Sequence, residues 1–338
     1  MTGVRLGPVA TWFPDGNALV AELPELATLD EARRKHALAL GIQRVPTADG
    51  IGAIDMAHRA ATEALRQAGL DAADLDALLL VQGRAPEYLL ASEATALQFR
   101  LGADKAFTAG VGELGCVSIA AAVEIGAALL RSGGRYRNVL VVAAATTPTP
   151  ARYRPPMTVL GDGAAAVLLT TSGPGTYELV DHIVRSNGRY ADLYRIDYRD
   201  VPTADWVEQC ADEATYSFRL AVESRQRFTE INAEILARNN LRSTDVAAYL
   251  MQNLSAGAIE FWQQALDVTI DPACGRNLAR YGHLGPIDVL VNAQDGAAAR
   301  APGEYSIVMN SGPVAAWSSW LLRRLPDPAG AQEVRWTW

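Results

Sequence analysis

The chain has 338 residues, 49% apolar and 20% charged, with 30 basic and 38 acidic side chains and a net charge of −8. A globular protein with one large two-part core or two domains fits these numbers, whereas nucleic acid or an anionic membrane surface as main partner does not. Three scattered cysteines, at 116, 210 and 274, exclude a disulfide framework and a Cys-rich zinc site, and point to a reducing compartment. The N-terminal stretch lacks an uninterrupted h-region, and the longest apolar runs are broken by glutamate or glycine well short of a membrane span. The expectation is a cytoplasmic protein.

In chain order, VRLGPVATW predicts a strand over 4–12, followed by helices over 30–40 and 55–69, a strand LDALLLVQG over 75–83 and a helix over 92–101. KAFTAGV (105–111) has the short apolar character of a buried strand. Immediately after it, SIAAAVEIGAALLRSGG is Ala-rich, poor in β-branched residues and closed by a glycine pair, which predicts a helix over 117–132. Strands follow at 138–146 and 164–171. Past Gly173-Pro174 the pattern begins again: a strand over 176–185, a long helix over 213–238, a strand over 246–254, a helix over 256–266, a segment over 277–292 and a strand over 304–312. Such alternation implies a layered α/β architecture.

The two sets look like copies of one unit. LRQAGLDAADLDALLLVQG (65–83) and LARNNLRSTDVAAYLMQNL (236–254) align without gaps at an offset of 171 residues, matching Leu65 with Leu236, Leu70 with Leu241 and Asp74 with Asp245. Duplication places an active site between the halves.

Cys116, in GVGELGCVSIAAA, sits where a strand stops and a helix begins. Unpaired N–H groups and the positive end of the dipole favour thiolate there, and a thiolate is a nucleophile. The competing reading is a small buried hydrophobe.

A cysteine at the start of an Ala-rich helix, LGDGAAAVLL (160–169), NSGPVAAWSSW (310–320) and GIQR (41–44) together resemble the thiolase-fold condensing enzymes of the ketoacyl-ACP synthase III group. The resemblance spans nearly the whole chain. It implies an α/β thiolase-like fold of two duplicated halves in an α-β-α-β-α arrangement, with residues 1–173 carrying the nucleophile and 174–338 the other catalytic groups. It also implies a homodimer, and acyl-CoA or the acyl-phosphopantetheine of an acyl carrier protein as co-substrate, with no permanently bound cofactor.

The sequence departs from that group at one place. Where its members carry His-Gln-Ala-Asn after a strand, this chain reads Met251-Gln252-Asn253-Leu254, and where they carry Gly-Asn it reads Gly282-His283, within YGHLGPID. Cys with His-x-Gly-x-x-Asp resembles a subgroup of ketosynthase-like acyltransferases of natural-product pathways that use a Cys-His-Asp triad, among them a malonyltransferase that esterifies a deoxysugar. Decarboxylative condensation needs two side-chain donors for an enolate, whereas acyl transfer to a hydroxyl needs one well-held base. His283 is that candidate base. Asp288 would orient it, provided the Gly285-Pro286 turn folds the carboxylate back; its other reading is a helix cap near Val289.

For the oxyanion hole the resemblance supplies the backbone N–H of Cys116 and of Gly312, the latter otherwise an ordinary turn glycine. Arg154 has the spacing of the arginine that contacts coenzyme A in the family; a solvated loop arginine is the alternative. The family's adenine-stacking pair is replaced by Lys35 and Ala39, which tilts the expectation toward a carrier-protein donor. Gln252 and Asn253 are candidate amide partners of a pantetheine arm, or strand-end residues pairing with backbone. A malonyl carboxylate would want a cation near the cysteine, and Arg84 and Arg154 are candidates. Gly161, Asp162 and Gly163 read as a structural turn, His36, His58 and His182 as surface or core residues, Trp317 and Trp320 as core, and no metal site is indicated.

The functional expectation is an acyltransferase that moves an acyl group, with malonyl the leading candidate, through Cys116 to a hydroxyl of a glycosylated small molecule. Its rivals are a decarboxylative starter-unit synthase and a non-catalytic acyl-carrier-binding partner.

Overall fold

A computed structural model describes residues 3–81, 85–173, 175–212 and 214–327. β1 (Val4–Leu6) and β2 (Ala10–Trp12) replace the single strand expected over 4–12, because Pro8 offers no N–H to a ladder. β3 (Gly16–Leu19) pairs with β4 (Arg44–Thr47), and between them α1 (Glu31–Leu38) is started by Asp30, whose side chain accepts from Arg33 N. α2 (Ala53–Ala68) stops at Gly69 in the left-handed region and leads to β5 (Ala77–Val81). The strand's expected last residues, 82 and 83, lie outside the described residues.

α3 (Glu93–Leu101) is capped by Ser92, and β6 (Phe107–Val111) leads through a 3-10 turn, Gly115–Val117, into α4 (Ser118–Arg131). β7 (Asn138–Ala145), the short pair β8 (Tyr153–Arg154) and β9 (Thr158–Val159), and β10 (Gly163–Thr170) complete the first half.

In the second half, β11 (Tyr177–Ser186) precedes a small hairpin of β12 (Tyr194–Arg195) and β13 (Gln209–Cys210). A π-turn over Thr215–Leu220 then runs into α5 (Ala221–Arg238); the expected helix start at 213 lies outside the described residues. β14 (Val246–Met251) and α6 (Ala256–Leu266) follow, the helix capped by Ser255. The segment over 277–292 resolves into the end of α7 (Pro272–Tyr281), a 3-10 turn, Gly285–Ile287, and the start of α8 (Asp288–Ala297). β15 (Tyr305–Gly312) and β16 (Ala316–Arg324) end the described chain.

The strand order repeats. β1, β10, β7, β5 and β6 lie side by side with two antiparallel contacts and then two parallel ones. β11, β16, β15 and β14 follow the same order and the same directions, and the fifth place is held by a parallel bridge of Ile270 to Tyr249. β1 pairs with β11 and joins the two sets.

The turns repeat as well. Leu70 N donates to Leu65 O at 3.1 Å, and Leu241 N to Leu236 O at 2.9 Å. The starts of α4 and α8 match at an offset of 170 residues: Gly115 (φ +56) and Gly285 (φ +67) open the 3-10 turns. Ser118 Oγ accepts from Leu114 N at 3.1 Å, as Asp288 Oδ1 does from Leu284 N at 2.8 Å.

α4 packs on β5, β7 and β11, and α8 on β14, β15 and β10, so these helices form the middle layer between the two sets of strands. α2 and α3 cover the outer face of the first set, and α5 that of the second, with α6 packed on α5. One apolar core runs through the middle layer and holds Val4, Ile119, Val167, Phe228, Val289 and Leu321 together. Trp317 and Trp320 on β16 are buried in it, on opposite faces of the strand.

Candidate active site

The middle layer brings the starts of α4 and α8 face to face. Cys116 is the second residue of the 3-10 turn before α4, where opening N–H groups have no intrahelical acceptor. His283 follows the C-cap Gly282 of α7, and its backbone is pinned from both sides: its N donates to Val159 O at 2.9 Å, and its O accepts from Gly161 N at 3.1 Å. The turn LGDG thus holds the histidine's main chain. Asp162 holds the turn, accepting from Ala48 N and Thr147 N and pairing with Arg152 at 2.8 Å, and β10 follows it, as the structural reading of this motif requires.

Cys116 Sγ stands 3.1 Å from His283 Nε2, and His283 Nδ1 donates to Asp288 Oδ2 at 2.6 Å. All three side chains are buried. The two readings of Asp288 coexist: it is the first residue of α8, its Oδ1 takes Leu284 N, and its Oδ2 takes both the imidazole and Asn253 N. Burial works against charge on Cys116. The imidazolium of His283, its hydrogen bond and Arg154 outweigh that penalty and hold the thiol below its ordinary value. Burial also disfavours a charged His283, yet the thiolate and the Asp288 carboxylate raise its pKa. Both shifts favour the thiolate and imidazolium form of the pair.

Asn310, which sequence reasoning passed over, fixes the nucleophile's main chain: its Nδ2 donates to Cys116 O at 2.7 Å. A polar residue in the apolar run YSIVMNSG was the available signal. Gly312 ends β15 against the same turn. A Cβ there would lie 2.9 Å from Leu114 O and 3.8 Å from Cys116 N. Gln252 bonds Ser311, giving Nε2 to its O at 2.6 Å, so its partner is backbone, although the side chain borders a cavity. Asn253 lies beneath the triad and outside both cavity walls, with its Oδ1 bonded to Asn292 at 2.9 Å; the expected contact with a pantetheine arm is therefore not its place.

Met251, at the family's histidine position, is buried and brings no polar donor from its side chain. His283 is the only histidine of the described residues bordering either cavity.

Two cavities meet at Cys116, Arg154, His283 and Pro313, one of about 630 Å³ and one of about 190 Å³. The larger is walled by the β12–β13 hairpin and its loop, which present Tyr194, Tyr198 and Trp206, and by Glu113. The smaller runs between the π-turn and α6, past Tyr216, Leu254 and Trp262. Arg154 is 7% exposed, is ion-paired through Nε to Glu208 and lines both cavities with the cysteine, so it is not a solvated loop arginine. Arg84 lies outside the described residues. Among these residues no cluster of three or more His, Cys, Asp or Glu is placed to hold a metal, and no helix is long and apolar enough to cross a membrane.

Known proteins share this architecture. The profile of 3-oxoacyl-[acyl-carrier-protein] synthase III matches residues 113–188, the segment that contains the cysteine turn and α4. A β-ketoacyl-[acyl-carrier-protein] synthase III of Rubrobacter xylanophilus is 28% identical, over 91% of this chain and 95% of its own. The solved structure of ChlB3, an acyltransferase, superposes with a TM-score of 0.82 at 23% identity, covering 96% of this chain and 98% of that one. The 3-oxoacyl-(acyl carrier protein) synthase III of Pseudomonas aeruginosa superposes at 0.78, with 19% identity, 96% of this chain and 99% of that one. The chain is ketoacyl-ACP synthase III-like and has the thiolase fold. The His283–Asp288 pair at the start of α8 is the feature that bears on what chemistry the chain performs.

Proposed function

We propose that the protein is an acyltransferase that forms an ester by a ping-pong route through Cys116. The thiolate attacks a donor thioester, the donor's C–S bond breaks, and the leaving thiolate takes the proton of the His283 imidazolium. With the cysteine's charge gone, the largest contribution that raised the histidine's pKa is lost and the imidazole stays neutral. A hydroxyl then enters the larger cavity, its proton passes to Nε2 while its oxygen attacks the acyl carbon, and the C–S bond breaks to restore thiolate and imidazolium. Asp288 holds tautomer and orientation throughout. The N–H groups of Cys116 and Gly312 receive the oxyanion.

The observation that carries this reading is a single buried imidazole, held by a carboxylate, 3.1 Å from the nucleophile with Met251 where a second would stand. An enolate left by decarboxylation would find half of its donors missing, which weighs against the condensing reaction named for several relatives. The retained nucleophile weighs against a non-catalytic partner. A carrier-protein donor follows from the relatives' names, CoA is the alternative that the resemblance allows, and the 190 Å³ cavity suits the arm of either. Aromatic faces of Tyr198 and Trp206, beside the Glu113 carboxylate, suit a sugar bearing the acceptor hydroxyl. A homodimer through the β6 edge, where Phe99 and Phe107 are exposed, and residence in the cytoplasm complete the proposal.

Intact-protein mass spectra test it. Cys116→Ala abolishes the acyl adduct, whereas His283→Ala accumulates it slowly and does not pass it on. A wild-type protein that gains no adduct from any acyl thioester overturns the proposal.

A further inference from the structure

A base that takes the proton of an acceptor hydroxyl takes that of water by the same geometry. Water attacking the acyl carbon would give one proton to His283 Nε2, break the C–S bond and leave as part of a carboxylic acid, restoring thiolate and imidazolium with nothing transferred. The acyl-enzyme lasts until an acceptor arrives only where water is kept from it.

The β12–β13 hairpin stands where such a barrier is needed. Residues 194–210 wall the larger cavity with Tyr198, Trp206 and Glu208, and behind that wall Cys116 is 6% and His283 1% exposed. The hairpin lies outside the large sheet, since β12 pairs with β13 alone. Its root is tied to α5, where Asn187 Nδ2 and Tyr190 Oη donate to Glu223 at 2.6 and 2.8 Å. Beyond the root its polar contacts are internal, as with Trp206 Nε1 to Val201 O at 3.1 Å and Arg195 to Asp197 at 3.2 Å, except for one. Among the described residues, the ion pair of Arg154 Nε with Glu208 is the one hydrogen bond that runs from 194–210 to the rest of the protein. Both side chains of that pair are shielded, and its arginine borders the two cavities that meet at the cysteine. Breaking a buried pair from one side is costly, because the charge left behind has no partner. Glu208 therefore fastens the far end of the hairpin beside the nucleophile.

We infer that the Arg154–Glu208 ion pair latches this hairpin over the acylated Cys116 and keeps bulk water from the acyl group, so that Glu208 is a positioning residue that decides between transfer and hydrolysis. The inference rests on the acyl-transfer reading. The same wall carries Tyr198 and Trp206, so an acceptor that binds there displaces the water that remains beside the base.

The test loads the protein with the acetyl thioester of N-acetylcysteamine, removes the donor and follows the adduct by intact mass with no acceptor present. The wild-type adduct outlives the free thioester at the same pH. Glu208→Gln, which keeps the side chain's size and removes its charge, loses acetate on the order of tenfold or more faster. Amide hydrogen exchange in that variant rises over 194–210 while the strands of the large sheet keep their protection. Asp197→Asn breaks the hairpin's own exposed pair with Arg195 and leaves both readings as in the wild type. A Glu208→Gln adduct as durable as the wild-type one overturns the inference, and so does faster loss in both variants, faster loss without added exchange in the hairpin, or exchange that rises throughout the protein. A wild-type adduct that decays no more slowly than the free thioester sinks this inference and leaves acyl transfer standing; no adduct at all sinks both.

Discussion

A thiolate shut away from water persists only beside a fixed cation, and His283 is that cation for Cys116. Removing the imidazole leaves burial as the leading influence on the sulfur, which raises the thiol's pKa. The rate of alkylation of wild-type protein is therefore expected to hold at pH values below the ordinary thiol range and to fall only as pH drops through the lowered value, whereas His283→Ala moves the profile to higher pH. A coincident pair of profiles would contradict the ion pair. Asp288 has three donors to satisfy, His283 Nδ1, Asn253 N and Leu284 N, and an amide at that position offers one acceptor oxygen. Asp288→Asn is expected to cut acyl transfer by roughly 10³–10⁴-fold, as a misdirected tautomer does in such triads, and to lower unfolding free energy by about 1–3 kcal/mol, read from the denaturant midpoint. Cys116 stands at a turn whose glycines and flanking runs mark it, whereas His283 and Asp288 were singled out through the family resemblance. Asn310 and Glu208 were not. Their significance comes from neighbours more than forty residues away in the chain, such as Cys116 for Asn310 and Arg154 for Glu208.

Turns, more than the helices and strands themselves, set the distance between sulfur and imidazole. The turn before β10 carries His283 through its backbone bond from Gly161, and a Cβ at Gly161 would lie 2.3 Å from Tyr281 O. Backbone cannot yield cheaply, so Gly161→Ala is expected to displace the histidine and slow transfer by about 100-fold, the effect of an ångström of misplacement. Gly163→Ala, whose Cβ meets the Phe13 ring at 2.9 Å, is the comparison and is expected to cost less in single-turnover assays. Equal loss in both variants would show that the link to His283 is unimportant. Most elements follow from apolar runs and their spacing, as with the strands expected over 138–146 and 246–254. The break at Pro8 and the separate strand Ala316–Arg324 did not, since an apolar stretch after a turn does not show where pairing resumes.

The duplicated strand order supports a division of the chain at residues 173 and 174 as the proposed boundary between two copies, yet the apolar core does not respect it. Val167 and Ile119 belong to the same cluster as Phe228 and Leu321. Unfolding is therefore expected to be one transition with no surviving half. Phe228→Ala, which removes a fully buried ring stacked edge-on with Trp262 at 5.2 Å, is expected to cost about 3–5 kcal/mol and to shift that single transition without splitting it. Two separate transitions would make the halves independent. What could be read along the chain was local: a nucleophile at a helix start, a histidine and a carboxylate five residues apart, a repeated helix-turn-strand unit, and a missing second histidine. Their meeting was not local. Cys116 and His283 are separated by 167 positions and come within 3.1 Å because the two sets of strands press α4 and α8 into one layer. Burial then does what no spacing of residues records: it strips water from the sulfur and makes the imidazolium its necessary partner.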